Sequence, residues 1–227
     1  MSKSLKTPQG YVLFHGIAMI FVAMLVISNI IAVKIVQIGP FSIAGGIVCF
    51  PIVYIVNDVL AEVYGYERTR NVIWWGFGIL AASVFVISVA VMLPAAPFYE
   101  DQEAFARLFG FVPRIALASL VAYLVGSFMN AIVLSKMKVM MEGRHLWMRT
   151  IGSTIVGEGV DSIVFNVIAF AGVFGSGQLV AIAFSGFVLK TAYEVVATPL
   201  TYLVVGWVKK VEGVDVYDAD VSYSPFT

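Results

Sequence analysis

Charged side chains are scarce in this sequence. Only 12% of its 227 residues are Asp, Glu, Lys or Arg, whereas 60% are apolar. A soluble domain of this length could not remove so much apolar surface from water, so the composition favours an integral membrane protein. The 14 basic and 14 acidic residues balance, and this lack of net charge argues against a nucleic-acid partner.

Cysteine is almost absent as well. The single Cys49 excludes a disulfide framework within the sequence and provides no cysteine-based metal motif. It lies in an apolar run, where a lone cysteine is typical of a small buried side chain. The sequence therefore predicts no metal site, and no motif indicates a cofactor.

Long apolar runs dominate the chain. A helix needs roughly 20 apolar residues to cross a bilayer core of about 30 Å. Six segments meet that requirement: Val12–Val36, Ser42–Tyr64, Val72–Leu93, Pro113–Leu134, Thr150–Phe174 and Leu179–Val208. The first is too long for a signal-peptide core and lacks a cleavage site, so we expect it to be retained. The prediction is an all-α polytopic protein with six transmembrane helices.

The basic residues predict its orientation. With six spans, ten of the 14 Lys and Arg residues fall on the side of both termini, against two, Arg107 and Arg114, in the opposite loops. The positive-inside rule then places both termini in the cytoplasm. We expect a cytoplasmic N-terminal segment (1–11), a bundle of six transmembrane helices (12–208) and a soluble or disordered polar tail (209–227).

Several charged residues nevertheless fall inside the predicted spans. They are Lys34, Asp58, Glu62, Glu158, Asp161, Lys190 and Glu194. A charged side chain at the bilayer centre costs about 2.5 to 3.5 kcal/mol on translocon scales, so these residues cannot all face lipid. Buried ion pairs hold helices together poorly, because desolvation offsets much of their attraction. Their number therefore indicates a polar cavity, although Lys34 lies near a span end and can reach the interface.

Spacing places these charges on shared helix faces. Glu158 and Asp161 are three residues apart, and Lys190 and Glu194 are four apart. Asp161 lies about 17 Å along the fifth span, and Lys190 reaches the same depth on the antiparallel sixth. We therefore predict that Asp161 and Lys190 lie close together.

The second span carries another such pair. Asp58 and Glu62 are four residues apart, so both face the same side of the helix. Glu62 lies nearer the boundary, where pairing with Arg68 or Arg70 is a structural alternative. If the spans form a three-plus-three inverted repeat, this pair is the counterpart of Glu158 and Asp161.

Uncharged polar and aromatic residues complete the candidate site. Asn166 lies at membrane depth, where hydrogen bonding between helices is the common role of an asparagine. Tyr54 is deep enough to stack on a planar ligand, although core packing is the more usual role.

The charged motifs resemble those of a known family. "FPIVYIVNDVLAEVYGYERTRNVIWWGF", "EGVDSIVFNVIAFAG" and "LKTAYEVVATPLTYLVVGWVKKVEGVDVYD" are similar to three signature regions of the queuosine-precursor transporter family, formerly grouped as vitamin-uptake-like membrane proteins. The resemblance covers roughly Phe14 to Asp218. It implies a transporter in the bacterial inner membrane that imports 7-cyano-7-deazaguanine or its aminomethyl relative. By position, Asp58, Glu62, Glu158, Asp161, Lys190 and Glu194 fall in the family's polar motifs.

Three rival functions stay open. A carboxylate-lined cation transporter is opposed by Lys190, whose ammonium would repel the ion. An intramembrane aspartyl protease would use two aspartates that share a proton, but "EGVD" lacks the glycines that flank the catalytic aspartate in presenilin-like proteases. A substrate-binding subunit of an energy-coupling vitamin importer would also be a small six-helix protein. The sequence leaves homodimerisation and an energising partner undecided.

Overall fold

Helices form nearly all of the regular structure in the computed structural model, which describes residues 11–32, 34–38, 41–110, 113–170, 172, 175–219 and 221–226. The predicted N-terminal segment lies almost entirely outside these ranges. The elements, in order, are α1 (Phe14–Ile31), β1 (Ile35–Ile38), β2 (Phe41–Ala44), a 3₁₀ turn (Gly45–Val48), α2 (Phe50–Val59), a π turn (Leu60–Tyr64), α3 (Tyr66–Met92), α4 (Gln102–Phe109), α5 (Pro113–Met140), α6 (Leu146–Phe170) and α7 (Ser176–Glu212).

Five helices are long and apolar enough to cross a membrane, counted over the described residues. They are α1, α3, α5, α6 and α7, and they correspond to five of the six predicted spans. The prediction of a mainly helical, multi-pass membrane protein is confirmed. Both α5 and α7 run beyond their predicted ends, so Lys138, Lys209 and Lys210 belong to helices instead of loops.

The remaining predicted span, Ser42–Tyr64, is wrong as a continuous helix. Its start is strand β2, which pairs with β1 in an antiparallel hairpin, and α2 is only ten residues long. Gly46 packs so tightly on α1 that a Cβ there would lie 2.8 Å from the Ser28 carbonyl oxygen. Pro51 then occupies the first turn of α2. A count of apolar residues cannot detect these local features.

The interrupted segment nevertheless returns the chain to the end where α1 begins. Gly46 lies beside Ser28 of α1, and the Tyr64 ring centroid lies 5.0 Å from that of Phe14. The backbone N–H of Leu13 donates to Glu212 Oε1 at 2.6 Å, so α7 finishes at the same end. We call this the terminal end of the bundle and the opposite one the far end. A three-plus-three repeat stays a prediction, and its paired helices α2 and α6 differ greatly in length.

Small residues bring α5 and α6 into close contact. A Cβ added at Gly126 would lie 2.9 Å from the Cβ of Asp161, and one at Gly157 would lie 2.9 Å from the Cβ of Asn130. Glycine at a helix interface in a membrane lets the backbones approach closely. This approach fixes the positions of Asp161 and Asn130 relative to each other.

The described part of the C-terminal tail, 213–219 and 221–226, packs against the bundle, which its polar composition did not indicate. Asp218 is buried and accepts hydrogen bonds from the Tyr66 backbone N–H at 2.8 Å and from the Ser135 hydroxyl at 2.5 Å. Trp74 Nε1 donates to the carbonyl of Pro225 at 2.8 Å. Polar groups at the ends of α3 and α5 thus find their partners in the tail, which packs across the terminal end.

We expect Asp218→Ala to lower the thermal stability of the protein in detergent. The substitution removes the acceptor of two buried donors, and each unpaired group costs roughly 1–3 kcal/mol. Thermal unfolding of the purified chain measures the effect. Glu142→Gln is the matched control, since its side chain is 80% exposed. Equal melting temperatures for Asp218→Ala and the control would contradict this role of the tail.

Candidate functional site

A cavity of about 700 Å³ lies between α1, α2, α5, α6 and α7. This volume falls within the range of sites for small organic ligands. Apolar and aromatic side chains form part of its wall, including Phe21, Leu25, Val53, Tyr54 and Phe165. Its α5 lining residues come from the middle of that helix, between Ser119 and Asn130, and its α7 lining residues from the far half of α7, between Ser185 and Lys190. The cavity is therefore central and displaced from the terminal end.

A three-residue charge cluster lies on the cavity wall. Lys190 Nζ is 2.8 Å from Asp161 Oδ2 and 2.8 Å from Glu158 Oε2. The predicted proximity of Asp161 and Lys190 is confirmed. Lys190 and Asp161 keep about one fifth of their side-chain surface exposed, so the cavity reaches both. With two carboxylates to one ammonium, the cluster can accept further hydrogen bonds as well as donate them.

Amide and hydroxyl groups surround this cluster. Asn166 Nδ2 donates to the Ser162 carbonyl at 2.8 Å, one turn earlier on α6. Its Oδ1 is buried and has no hydrogen-bond partner among the described residues, and the same holds for Asn57 Oδ1, Asn130 Oδ1 and Thr154 Oγ1. All four residues line the cavity. Buried polar atoms normally find a partner, so these atoms are suited to a polar ligand or to water.

Sequence reasoning identified part of this wall. Five of the candidate site residues line the cavity: Tyr54, Glu158, Asp161, Asn166 and Lys190. Further lining residues were not singled out as ligand contacts: Asn57, Tyr123, Asn130 and Thr154. The depth of Asn130 was a usable signal, but nothing in the sequence marks Thr154 or Tyr123 as facing a cavity instead of a neighbouring helix.

Asp58 and Glu194 lie behind the cavity wall. Their relative exposures are 0% and 1%, and neither is a lining residue. Asp58 Oδ1 accepts a hydrogen bond of 3.0 Å from Asn130 Nδ2, so the cavity-lining Asn130 separates Asp58 from the lumen. The helices that carry them, α2 and α7, pack against each other. Both carboxyl groups are in a second layer, not in the contact surface predicted for them.

Glu62 belongs to a different site at the terminal end. It is fully buried and pairs with Arg149, with Lys209 at 2.7 Å and with Lys138 at 3.7 Å. Three cations therefore surround one carboxylate. The expected pairing of Glu62 with Arg68 or Arg70 is therefore wrong.

Arg68 and Arg70, the partners named for Glu62, instead bond to backbone carbonyls. Arg68 donates to Tyr64 at 3.3 Å and Arg70 to Ser224 at 3.1 Å. The π turn of Leu60–Tyr64 directs Glu62 towards α5, α6 and α7, away from the start of α3.

The tail completes the Glu62 cluster. Asp215 pairs with Lys138 and lies 2.9 Å from Lys209, and Lys138 also donates to the Val216 carbonyl at 2.6 Å. Burial alone would raise the pKa of the Asp215 carboxyl, but hydrogen bonds from the two lysines outweigh burial and lower the pKa below its usual value. Asp215 therefore stays ionised at neutral pH. Ion pairs and the tail together close the terminal end beneath the cavity.

Comparisons with known proteins identify the family of this chain. A sequence profile of the family described as "Putative vitamin uptake transporter" matches residues 44–204. A protein of Bacillus subtilis (strain 168) named "Probable queuosine precursor transporter" is 30% identical over 178 residues, which is 78% of each chain. The "Queuosine precursor transporter" of Escherichia coli (strain K12) is 25% identical over 162 residues, 71% of each chain.

A third relative, from Haemophilus influenzae (strain ATCC 51907 / DSM 11121 / KW20 / Rd), is named "Probable queuosine precursor transporter" and is 28% identical over 130 residues. The match covers 57% of this chain and 53% of the relative. No solved structure gives a significant match. The profile covers most of the chain, and its apolar helices are those of a multi-pass membrane protein. The chain is thus a transporter and not an enzyme, and it belongs to the family whose curated members are named queuosine precursor transporters.

Proposed function

We propose that this protein imports 7-deazaguanine precursors of queuosine, namely 7-cyano-7-deazaguanine, its aminomethyl relative or both, through the central cavity. The observation that carries this proposal is the Glu158–Asp161–Lys190 cluster on the wall of a cavity large enough for a bicyclic base. The names of the relatives point to the same substrate class.

The chemistry of the wall complements a deazaguanine. Its pyrimidine edge offers adjacent N–H donors, which one carboxylate can accept in a two-point arrangement. We assign this role to Asp161, which is more exposed to the cavity than Glu158. The ring carbonyl accepts a hydrogen bond, for which Lys190 is a suitable donor. Tyr54 and Phe165 supply aromatic surface for the flat ring, and Asn166 an additional acceptor.

The course of the chain between the two ends of the bundle supports a membrane topology with six crossings. Five long helices and the return segment from Gly45 to Tyr64 make six crossings in this proposal, with both ends in the cytoplasm of the inner membrane. The terminal end carries Arg68, Arg70 and Lys209, in agreement with the positive-inside rule. The cavity then lies towards the outer face, and import requires the Glu62 cluster to open.

The geometry does not favour a cation as the transported species. Lys190 Nζ already lies between the two carboxylates that would form such a site. A divalent ion there would have to displace this ammonium or suffer its repulsion. Transport by the purified protein alone in liposomes would test whether it needs an energising partner.

We expect Asp161→Asn to reduce precursor uptake by about tenfold or more. The amide retains the shape of the side chain but loses the two-point acceptor, and a hydrogen bond to a charged group contributes about 1.5–3 kcal/mol. The measurement is accumulation of radiolabelled precursor in cells that lack both their own transporter and precursor synthesis.

Asp101→Asn is the matched control for this test, because Asp101 is exposed and lies outside the cavity. Both variants must reach the membrane in wild-type amounts. Absence of uptake by the wild-type protein would overturn the proposed substrate, and wild-type uptake by Asp161→Asn would overturn the assignment of this residue.

We expect Glu62→Gln to show the opposite pattern. Loss of this carboxylate leaves Lys138, Arg149 and Lys209 without their common partner, and breaking a buried pair in this way costs about 3–5 kcal/mol. Thermal unfolding should therefore occur at a lower temperature, while precursor affinity of the folded fraction stays close to wild type. Asp161→Asn should lose affinity and keep its melting temperature. Equal loss of affinity in both variants would place Glu62 in the substrate site.

A further inference from the structure

The buried pair Asp58 and Glu194 has no role in the substrate contacts described above. The two carboxyl groups come from α2 and α7 and are shielded from both solvent and cavity. Among the ion pairs formed within the described residues, none involves either group. Asp58 Oδ2 and Glu194 Oε1 are buried and have no hydrogen-bond partner in this part of the chain.

Two ionised carboxylates are not stable in such a position. Removing one unpaired carboxylate from water costs several kcal/mol, and a second negative charge nearby adds repulsion. Neighbouring carboxylates in a shared site therefore hold a proton between them. This buried environment without a cation partner favours a pair that holds one proton over a pair with two negative charges.

The surrounding charges do not relieve this constraint. Glu62 lies one turn from Asp58 on the same segment, and Glu158 lies on α6, which packs against α7. Both of these carboxylates have cation partners of their own. Lys190 forms its ion pairs with Glu158 and Asp161. Lys138, Arg149 and Lys209 pair with Glu62 at the terminal end.

The pair is connected both to the cavity and to the Glu62 cluster at the terminal end. On one side, Asn130 lines the cavity and donates to Asp58. A ligand that donates to the side-chain oxygen of Asn130, Oδ1, therefore contacts the same amide group that binds Asp58. On the other side, Asp58 is followed within one turn by the π turn that carries Glu62 into the terminal cluster. Single π turns within helices are frequent at functional sites.

We propose that Asp58 and Glu194 form a proton-binding site that couples precursor import to the inward movement of one proton. The pair takes up the proton from the outer side while the terminal cluster is closed. Opening of the terminal end admits water, which stabilises the ionised carboxylate, and the proton leaves to the cytoplasm. No bond other than that to the proton forms or breaks. The inference rests on the proposed function, because it requires a transported substrate.

Reconstituted full-length protein tests this proposal. Accumulation of radiolabelled 7-cyano-7-deazaguanine is measured with and without a pH gradient, acidic on the side of the added precursor, and counterflow exchange is measured without a gradient. A gradient of one pH unit supports about tenfold accumulation per proton transported. We expect the wild type to accumulate precursor under the gradient, to lose this accumulation with a protonophore, and to alkalinise the acidic side as precursor enters.

The variants Asp58→Asn and Glu194→Gln mimic the shape of the protonated groups but cannot release a proton. We expect each to lose gradient-driven accumulation, by about tenfold at one pH unit, while counterflow exchange stays close to wild type. Glu142→Gln, at an exposed position, should match the wild type in both assays. If one of the buried variants does not fold, the other variant and the wild-type gradient measurement decide the result.

The outcomes separate the two proposals. Wild-type exchange without any effect of the pH gradient overturns proton coupling and leaves the substrate assignment intact. Gradient-driven accumulation by Asp58→Asn and Glu194→Gln at the wild-type level overturns the assignment of the pair. Absence of precursor exchange by the wild type overturns the proposed function and this inference with it.

Discussion

The cost of placing a carboxylate in a low-dielectric interior governs the arrangement of this protein. The buried carboxylates of this protein are stabilised in three different ways. Glu158 and Asp161 share one ammonium on the wall of a cavity, which keeps them accessible. Glu62 is fully enclosed by three cations. Asp58 and Glu194 have no cation partner in the described part of the chain and therefore require a proton or a change of environment.

These three groups of carboxylates occupy different positions along the bundle. The charged cavity occupies the centre and the far half, the buried acidic pair lies behind it, and the cation-rich cluster closes the terminal end. The change from α-helical to π-helical winding at Leu60 favours this separation, because it allows Asp58 and Glu62 to contact different neighbours despite their four-residue spacing. A regular helix would have presented both to the same side.

Hydrophobicity predicted the helices well, and local geometry accounts for what it missed. The long apolar helices and the depth match of Asp161 and Lys190 follow from rise per residue alone. The hairpin of β1 and β2, the π turn and the docked tail depend on side-chain contacts between distant segments, such as Asp218 with Ser135. Composition classifies residues 213–226 as polar, but it cannot show that the helix ends provide partners for them.

In the transport cycle that we propose, closure of the terminal end is the feature that has to be reversed. Lys138 joins the Glu62 carbonyl, Asp215 and the Val216 carbonyl, and Lys209 bridges Glu62 and Asp215. Both ammonium groups therefore connect the tail to the π turn. Opening this junction exposes Glu62, its three cations and Asp215 to water together, and water compensates each charge that the ion pairs lose. The opened state need not be much less stable than the closed one. When a closure made of paired charges opens, the charges lose their electrostatic attraction but become hydrated. An apolar closure has no such compensation. Paired charges therefore suit a gate that must both open and close.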